Sequence, residues 1–347
     1  MDGGPMARTL VTGGCGLLGS AIAGRLLDAG EAVVVADLFE DTGDGQVAKE
    51  ERAQVLRVRG AEVVRVDLAN PALLWPLFAD HRPSAVVNAA LFAPDGQGLR
   101  PFVSVARAAG IGFFVHLSDG ALYGEPAEPG LRAKEDEPLP VKEDPSLRQK
   151  AAEEELLRDA AMPYTILRVF PLIGPCFPEW RFPGQAFESI LLGDEVVLPD
   201  DEPRDFVHID DAARAAQLAL HVRAAGATVN VGSGLEARPS DILKALAVRS
   251  GLPLRFRIDP EAKKPVHRIA DTTAACELIR FVPQRDIGDA VEAIAAARLR
   301  TETTTSRPRR ETTPSTRRDT PSPSDAPRVV SRREIFSVFR RPFGKGR

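Results

Sequence analysis

Three glycines, Gly13, Gly16 and Gly19, stand where a short apolar run meets a segment of helical periodicity. In a strand–turn–helix unit the first glycine permits a tight turn and the second lets the backbone approach a pyrophosphate, while the third allows close helix–strand packing. The helix would begin near Leu17 and Leu18, with its N–H groups and positive dipole end toward the phosphates. The spacing predicts a dinucleotide-binding turn, with a glycine-rich turn that binds no ligand as the alternative.

An acidic residue, Asp37, closes the next predicted strand, 24 residues after Gly13. A carboxylate in this position accepts hydrogen bonds from the hydroxyls of an adenosine ribose. It would also repel a 2′-phosphate, because two negative charges in close proximity disfavour each other. The two signals together predict NAD as the cofactor rather than NADP.

Short apolar runs alternate with helix-period segments through the first half of the chain, and these elements would position the turn. Such alternation indicates βαβ units and a parallel sheet. We therefore predict an α/β, doubly wound (Rossmann) NAD-binding domain over residues 6–170. The predicted strands are Arg8–Thr12, Ala32–Asp37, Val63–Asp67, Ala85–Ala89, Gly112–Ser118 and Tyr164–Val169, and the predicted helices are Gly16–Ala29, Ala72–His81, Pro101–Ala109 and Lys150–Ala160.

The pattern loosens after residue 170. Proline and glycine interrupt residues 171–203, a helix is predicted from about Asp210, a strand over Thr228–Gly232, and further helices beyond. We expect residues 171–299 to form a smaller substrate lobe at the carboxyl ends of the strands, where ligands bind in open α/β sheets. Some of this chain is expected to return to the main domain.

Charge is divided unevenly along the 347 residues, whose net charge is −4. From Arg300 onward there are 13 Lys and Arg against 5 Asp and Glu, a net of +8, which leaves −12 for residues 1–299. An acidic body argues against binding of nucleic acid through its phosphates. Residues 301–325 contain no Ala, Val, Ile, Leu, Met, Phe, Trp, Tyr or Cys, so we predict a disordered linker over 300–328.

The composition argues against several other classes of protein. No run reaches about 18 uninterrupted apolar residues, the length of a transmembrane helix, and no apolar signal region precedes the first strand. Cys15, Cys176 and Cys276 lack the number and spacing of a disulfide framework or metal site, and the five histidines are scattered. We predict no metal site and a cytoplasmic location.

Further segments repeat motifs of one known family. Leu117–Gly124 is similar to its S-S-x-x-V-Y-G, and the others are Val66–Leu68, Asn88–Ala90, Tyr164–Arg168, Arg204–Asp211 and Val229–Ser233. With the glycine turn, they resemble the extended short-chain dehydrogenase/reductases, also called NAD-dependent epimerases/dehydratases. Most members of that family act on sugar nucleotides. The resemblance extends over about residues 8–295.

This resemblance implies a set of cofactor contacts. Lys150 would hold the nicotinamide ribose, Phe170 would lie against the nicotinamide, and Val66–Leu68 would touch the adenine. The implied cofactor-binding residues are Gly13, Gly16, Leu17, Leu18, Gly19, Asp37, Asp67, Leu68, Ala89, Ala90, Ser118, Lys150 and Phe170.

The resemblance further implies a nucleotide-sugar substrate and a homodimer. Arg204 and Arg268 match arginines that hold the substrate diphosphate. The alternative is that they are surface arginines paired with Asp205 or Asp271. Pro171 replaces an asparagine that would bond to the nucleotide-sugar, so part of the substrate contact is altered.

The catalytic set departs from the family pattern. Family members use Tyr-x-x-x-Lys and a Ser or Thr four residues before the tyrosine of V-Y-G; the lysine lowers the pKa of the catalytic tyrosine, which transfers a proton. Here Lys150 is retained, but Ser146 stands in the position of the tyrosine and Asp119 in that of the Ser or Thr. A serine hydroxyl is shorter and far less acidic than a phenol, so Ser146 cannot simply take over its role.

Four interpretations of these departures remain open. The chain is an enzyme in which Asp119 or Tyr123 reaches the substrate, an NAD-binding sensor or scaffold, an enzyme whose reaction needs less proton-transfer assistance, or a decayed sequence. We favour an NAD-dependent epimerase/dehydratase-like oxidoreductase or isomerase, with Lys150, Asp119, Tyr123 and Ser146 as candidate catalytic residues. The alternative is a catalytically silent NAD-binding regulator or scaffold that engages a partner through its basic tail.

The C-terminal segment 329–347 combines apolar and basic residues. Ile335, Phe336, Phe339 and Phe343 recur at near-helical spacing among six Arg and Lys residues. A basic amphipathic segment suits an anionic membrane surface or an acidic protein partner. A solvated tail, and a tail folded back on the acidic body, are the alternatives.

Under the membrane interpretation we expect the full chain to co-sediment with vesicles containing anionic phospholipid, because the segment combines basic residues with an apolar face. A chain truncated after Arg300 is the control and should remain in the supernatant. Equal pelleting of the two forms would exclude membrane binding by this segment.

Overall fold

A computed structural model describes residues 8–40, 46–92, 98–128, 130–140, 144–175, 181–262 and 266–304. Within these residues, seven strands form a single sheet in which all neighbours run parallel. The strands are β1 (Arg8–Thr12), β2 (Ala32–Asp37), β3 (Glu62–Arg65), β4 (Ala85–Asn88), β5 (Phe113–Asp119), β6 (Tyr164–Val169) and β7 (Ala227–Val231). Their order, β7-β6-β5-β4-β1-β2-β3, confirms the predicted doubly wound fold.

The strand order reverses beside β1, which pairs with β2 on one side and with β4 on the other. In open α/β sheets a crevice forms at such a point, outside the carboxyl ends of the strands. Four of these parallel strands end in polar residues, which therefore lie along one edge of the sheet: Thr12, Asp37, Asn88 and Asp119. The candidate cofactor residues are brought together at that edge.

Helices cover both faces of the sheet because its strands are apolar on both sides. Val33 and Val35 belong to one buried cluster, whereas Val34 belongs to the cluster on the opposite face. The first cluster includes residues of α1 (Leu17–Asp28), α2 (Gln46–Val58), α7 (Ile209–Val222) and α9 (Thr273–Ile279); the second includes residues of α3 (Pro71–His81), α4 (Leu99–Ala108) and α5 (Pro145–Asp159).

Helix α2 is absent from the sequence prediction, which placed no element between Asp37 and Val63. Its buried residues are Lys49, Ala53 and Leu56, at the spacing of one helix face. A lysine on the buried face weakens the apolar periodicity by which a helix is predicted. Only the folded structure shows that this lysine faces inward.

The chain forms two compact units. The first contains the sheet and comprises the described parts of Met1–Ile173, Glu202–Arg238 and Lys264–Asp286. Short strand pairs in this unit join Arg132–Ala133 with Ile269–Ala270, Leu172–Ile173 with Val207–His208, and Arg204–Asp205 with Glu236–Ala237.

The second unit comprises the described parts of Gly174–Asp201, Pro239–Lys263 and Ile287–Arg347. Its helix α8 packs against both α6 and α10, and two short parallel strands complete it. These elements are α6 (Gly184–Leu192), α8 (Pro239–Ser250), α10 (Ile287–Thr304) and the strands Val196–Leu198 and Phe256–Ile258.

Helix α10 corrects the predicted start of the linker. It runs through Thr304, whereas the linker was predicted from residue 300. The helix extends from an alanine-rich stretch, and Arg300 and Glu302 favour its continuation, although Thr301, Thr303 and Thr304 are weaker helix formers. The remainder of the predicted linker and the segment 329–347 lie outside the described residues. Within the part of the chain that is described, no helix is long and apolar enough to span a bilayer.

The second apolar cluster provides a test of this packing. Phe102 is fully buried, and its ring centroid lies 5.5 Å from that of Phe78 and 6.2 Å from that of Phe114. We expect Phe102→Ala to lower the free energy of unfolding by about 3–5 kcal/mol, because it leaves a cavity. Urea denaturation measures this change, and the exposed Trp75→Ala on α3 is the control. Equal effects of the two substitutions would contradict the packing.

Candidate active site

The turn after β1 places Gly13 against the segment that follows β4. The φ angle of Gly13 is 61°, in the left-handed region, and its N–H donates to Ala36 O at 2.8 Å. A Cβ on Gly13 would lie 2.6 Å from Ala89 O and 2.8 Å from Ala90 Cα. The turn therefore requires glycine both for its backbone conformation and for the close approach of Ala89 and Ala90.

Gly16 and Gly19 shape the start of α1. Gly16 is the N-cap residue, no side chain caps the helix, and Leu17 and Leu18 begin the first turn. A Cβ on Gly19 would overlap Gly13 O, so no side chain fits between helix and turn. A helix start without a side-chain cap presents a partial positive charge. This cradle of glycine backbone fits the pyrophosphate of a dinucleotide.

Asp37 lies beside the turn and is only 4% exposed. Its Oδ2 accepts a hydrogen bond from Cys15 N at 3.0 Å, and its Oδ1 accepts one from Phe39 N at 2.9 Å. Lys49 Nζ lies 3.5 Å from Oδ1, a cation that sequence reasoning missed. Burial, followed by the charge of Asp37, raises the pKa of the Cys15 thiol to about 12, so the thiol stays protonated. The donor set around Asp37 fits a carboxylate oriented for ribose hydroxyls.

Asp67 and Leu68 lie at the same corner of the sheet. Val66 N donates to Asp37 O at 3.0 Å, which joins the segment after β3 to the end of β2. Asp67 Oδ1 accepts from Ala69 N at 2.8 Å, and Leu68 is buried. The structure thus brings the segment predicted to touch the adenine next to the residue predicted to bind the ribose.

Helix α5 contributes Lys150 and Ser146. Lys150 Nζ donates to Leu117 O at 3.2 Å and to Glu153 Oε2 at 2.8 Å, so it contacts the end of β5. Ser146 is exposed in the first turn, where its Oγ donates to Asp144 Oδ1 at 2.7 Å. Asp144 is the N-cap of α5, and its bond with the Ser146 hydroxyl at an exposed position argues against the predicted catalytic role of that hydroxyl.

Asp119 ends β5, two residues beyond the carbonyl that Lys150 contacts. It caps the short 3₁₀ helix Gly120–Tyr123, and its Oδ1 accepts from Ala121 N at 2.8 Å. The side chain is half-buried and its orientation is fixed by the backbone. A carboxylate at this position can accept and return a proton.

Tyr123 lies within a buried polar network. Its hydroxyl donates to Asn230 Oδ1 at 2.7 Å and accepts from Arg168 Nη1 at 2.9 Å. Burial raises the pKa of Tyr123 to about 12, although the Arg168 guanidinium opposes the shift. A buried phenol that makes two hydrogen bonds and has a raised pKa is poorly suited to exchange a proton with a substrate. The geometry argues against the predicted catalytic role of Tyr123.

Glu154 and Ser118 complete this network. The guanidinium of Arg168 donates to both carboxylate oxygens of Glu154, at 3.0 and 2.8 Å, and Ser118 Oγ donates to Glu154 Oε1 at 2.6 Å. Burial by itself would raise the pKa of Glu154, but its contacts with Arg168 and Ser118 lower it. Ser118, predicted to bind the cofactor, is therefore directed toward α5.

The two predicted substrate arginines are buried rather than on the surface, at 6% exposure for Arg204 and 4% for Arg268. Arg268 Nη2 donates to both carboxylate oxygens of Glu137, at 2.9 and 2.7 Å. Its guanidinium carbon lies 5.5 Å from the centroid of the Tyr123 ring. Arg268 thus forms its ion pair with Glu137 and not with Asp205 or Asp271, the partners suggested by the surface alternative.

Phe170 lies directly after β6 and is 2% exposed. A Cβ on Gly120 would come within 2.8 Å of its ring, and the ring centroid lies 6.3 Å from that of Tyr123. The position predicted to face the nicotinamide is thus packed against the start of the 3₁₀ helix.

A row of buried polar side chains crosses the ends of β1, β4 and β5. Thr12 Oγ1 donates to Asn88 Oδ1 at 2.6 Å, and Asn88 Nδ2 lies 3.0 Å from His116 Nδ1. His116 Nε2 lies 3.4 Å from Glu153 Oε2. Burial lowers the pKa of His116 and favours the neutral ring. This row of side chains links Thr12 at the strand edge to Glu153, which accepts the hydrogen bond from Lys150.

Sequence reasoning missed Glu153, although it stands three residues after Lys150. Glu153 and Glu154 are adjacent on a helix, and the sequence alone does not reveal which of them is buried; here both are. The i,i+3 spacing of Lys150 and Glu153 is the signal that could have found the pair. In the described part of the chain, no group of three or more His, Cys, Asp or Glu side chains could hold a metal ion.

The family model described as the NAD dependent epimerase/dehydratase family matches residues 9–232, more than half of the chain. The chain belongs to this family. UDP-glucose 4-epimerase of Mus musculus is 26% identical to it over 327 residues, which cover 82% of this chain and 92% of the mouse protein. That of Azospirillum brasilense is 28% identical over 330 residues, which cover 82% and 89%.

Solved structures of a 4-epimerase and a 4,6-dehydratase share the fold. UDP-glucuronic acid 4-epimerase from Bacillus cereus, in complex with UDP-glucuronic acid and NAD, has a TM-score of 0.76 at 23% identity and covers 85% of this chain and 99% of its own. dTDP-glucose 4,6-dehydratase from Bacillus anthracis, in complex with NAD, has a TM-score of 0.77 at 17% identity and covers 86% and 98%.

The position of Asp37 generates a test of cofactor selectivity. We expect the wild-type chain to bind NAD more tightly than NADP, and Asp37→Asn to reduce this preference by about tenfold or more, because the side chain then neither repels a 2′-phosphate nor offsets the ammonium of Lys49, 3.5 Å away. Calorimetric titration with each cofactor measures the ratio, with the exposed Asp80→Asn as the control. Tighter binding of NADP by the wild type would show that Asp37 is misinterpreted.

Proposed function

We propose that this member of the epimerase/dehydratase family binds NAD and catalyses an oxidoreductase or isomerase reaction on a nucleotide-sugar. The observation that supports it most directly is that one edge of the sheet unites the glycine turn, Asp37 and Asp119, and that Lys150 contacts Leu117 O two residues before Asp119. The curated relatives at 26–28% identity, which are UDP-glucose 4-epimerases, support the substrate class. We also propose that the chain forms a homodimer, as the family resemblance implies.

The chain offers a residue or backbone element for each part of the cofactor. The backbone of the turn and the start of α1 would hold the pyrophosphate, Asp37 the adenosine ribose, and Lys150 the nicotinamide ribose. Bound NAD would supply the hydride acceptor for oxidation of the substrate. The protein must then supply a group that takes a proton from the substrate hydroxyl as the hydride leaves.

Asp119 is the proposed proton acceptor. Of the four candidate catalytic residues, Ser146 is exposed in the first turn of α5 and binds the capping residue Asp144, and Tyr123 is bound within the buried network. Asp119 ends β5 two residues beyond the carbonyl that Lys150 contacts, and Ala121 N orients its carboxylate. It would take the hydroxyl proton as a general base and return it as a general acid. Positioned carboxylates contribute about 10²–10⁴-fold in such roles.

Lys150 has a narrower role here than in the family pattern. With no phenol to activate, its ammonium would hold the nicotinamide ribose and fix α5 to Leu117 O. Its charge is matched by Glu153 at 2.8 Å. Because no phenol is present for Lys150 to activate, the pairing of its charge with Glu153 removes no catalytic contribution.

A catalytically silent NAD-binding regulator is the second candidate function. Two of the three family catalytic side chains are replaced, and Ser118 and Tyr123 are engaged in structural hydrogen bonds. In that case the cofactor would stabilise the fold, and the basic segment 329–347 would engage an anionic membrane surface or an acidic partner.

Two measurements separate the candidates. The supernatant of the heat-denatured protein is assayed for released NAD, and the native protein is incubated with a panel of UDP- and dTDP-sugars, with products resolved by chromatography. Bound NAD with turnover supports the enzyme, and bound NAD without turnover supports the regulator. If no NAD is released on denaturation and the native protein does not bind added NAD in a titration, both candidate functions are overturned.

We expect Asp119→Asn to lower kcat by about 10²-fold or more, because an amide cannot accept the substrate proton. NAD affinity should change little, since the glycine turn, Asp37 and Lys150 are unaltered. The exposed Asp159→Asn on α5 is the matched control and should keep wild-type turnover. An unchanged kcat for Asp119→Asn would remove Asp119 from the mechanism.

A further inference from the structure

Glu153 is a buried carboxylate next to the lysine that would hold the cofactor. It is 1% exposed, and its Oε2 accepts a hydrogen bond from Lys150 Nζ at 2.8 Å. Its Oε1 accepts from Gln149 Nε2 at 2.8 Å, and His116 Nε2 lies 3.4 Å from Oε2. Every neighbour of the carboxylate in this set can donate a hydrogen bond to it.

The charge of this cluster follows from its burial and contacts. Burial by itself would raise the pKa of Glu153, but the contact with His116 and the charge of Lys150 lower it to about 2. His116 is fully buried and neutral, as its lowered pKa indicates. At neutral pH the cluster therefore holds one positive and one negative charge, and the ammonium of Lys150 is compensated within hydrogen-bonding distance.

This compensation bears on the two redox forms of the cofactor. The nicotinamide ring carries a positive charge in the oxidised form and none in the reduced form. An uncompensated ammonium nearby would disfavour the oxidised form, because like charges repel more strongly where water is excluded. An ammonium paired with a buried carboxylate exerts a much smaller net field.

We propose that Glu153 is a positioning residue that compensates Lys150 and thereby maintains the affinity of the site for oxidised cofactor relative to reduced cofactor. The inference rests on the proposed function, because it requires that the chain binds NAD. It assigns to the buried carboxylate a role beyond holding α5 in place. A purely structural role would change the affinities for both redox forms by the same factor.

The test compares the Kd values of NAD⁺ and NADH, measured by calorimetry at constant salt, for the wild type, Glu153→Gln and Glu155→Gln. Glu153→Gln preserves shape but removes the charge, so the ratio of Kd for NAD⁺ to Kd for NADH should rise on the order of tenfold. Glu155 is exposed on the same helix, and its substitution removes the same charge at a distance from Lys150. Glu155→Gln should leave the ratio within twofold of the wild type.

Lys150→Met provides a second, independent test of the same Kd ratio, and this test remains available if Glu153→Gln fails to fold. It removes the ammonium and leaves the carboxylate, so the same ratio should fall even though both affinities weaken. An unchanged ratio in every variant that folds would overturn the role of Glu153 while leaving NAD binding intact. A wild-type chain that binds neither NAD⁺ nor NADH would overturn the proposed function itself.

Discussion

The bidentate ion pair between Arg168 and Glu154 positions the helix on which the candidate site depends. Arg168 is on β6 and Glu154 on α5, and both side chains are at most 2% exposed. Removing the carboxylate of such a buried pair costs about 3–5 kcal/mol, because the buried guanidinium loses its charged partner; Arg158 Nη2 also contacts Glu154 Oε2, at 2.7 Å. Ser118 on β5 binds the same carboxylate. The contact of Lys150 with the end of β5 depends on this attachment of α5 to two neighbouring strands.

The structure separates two groups of residues that the family resemblance places together. Ser118 and Tyr123 match the family motifs, and both are bound within the Arg168–Glu154 network. The positions that differ, Asp119 and Ser146, stand at the end of β5 and in the first turn of α5. The chain has thus kept the framework of the fold while changing the groups that would meet a substrate. This pattern is compatible with altered chemistry on an intact scaffold.

Sequence patterns predicted those features that depend on local residue type. The strands follow from apolar runs such as Val33–Val35, and the turn follows from glycines that a positive φ and close backbone contacts require. Features that depend on tertiary pairing were missed or misassigned. Lys49 concealed α2 because it lies on the buried face beside Asp37. The alternative interpretation of Arg268 paired it with an aspartate, whereas the fold supplies Glu137, which is 131 residues away in the sequence.

The same limit applies to the candidate catalytic residues. The motif identifies Tyr123 by its position, but the availability of its hydroxyl is decided by Asn230 and Arg168, which are far away in sequence. Glu153 and Glu154 are adjacent, yet one contacts Lys150 and the other Arg168. The partner of each side chain depends on which strands lie next to it in the sheet. The sequence motifs do not give the order of the strands, so they do not identify these partners.

The polar row at the strand ends also bears on how the sheet attains its alignment. Thr12 is directly opposite Asn88 in the register of β1 with β4, and Asn88 is opposite His116 in that of β4 with β5. Both faces of these strands are apolar, so a slip by one residue would still bury apolar side chains on each side. It would, however, separate the hydrogen-bonded side chains and leave buried polar groups unpaired, at a substantial cost. The residues at the edge of the candidate site thereby specify the strand alignment that the hydrophobic core leaves undetermined.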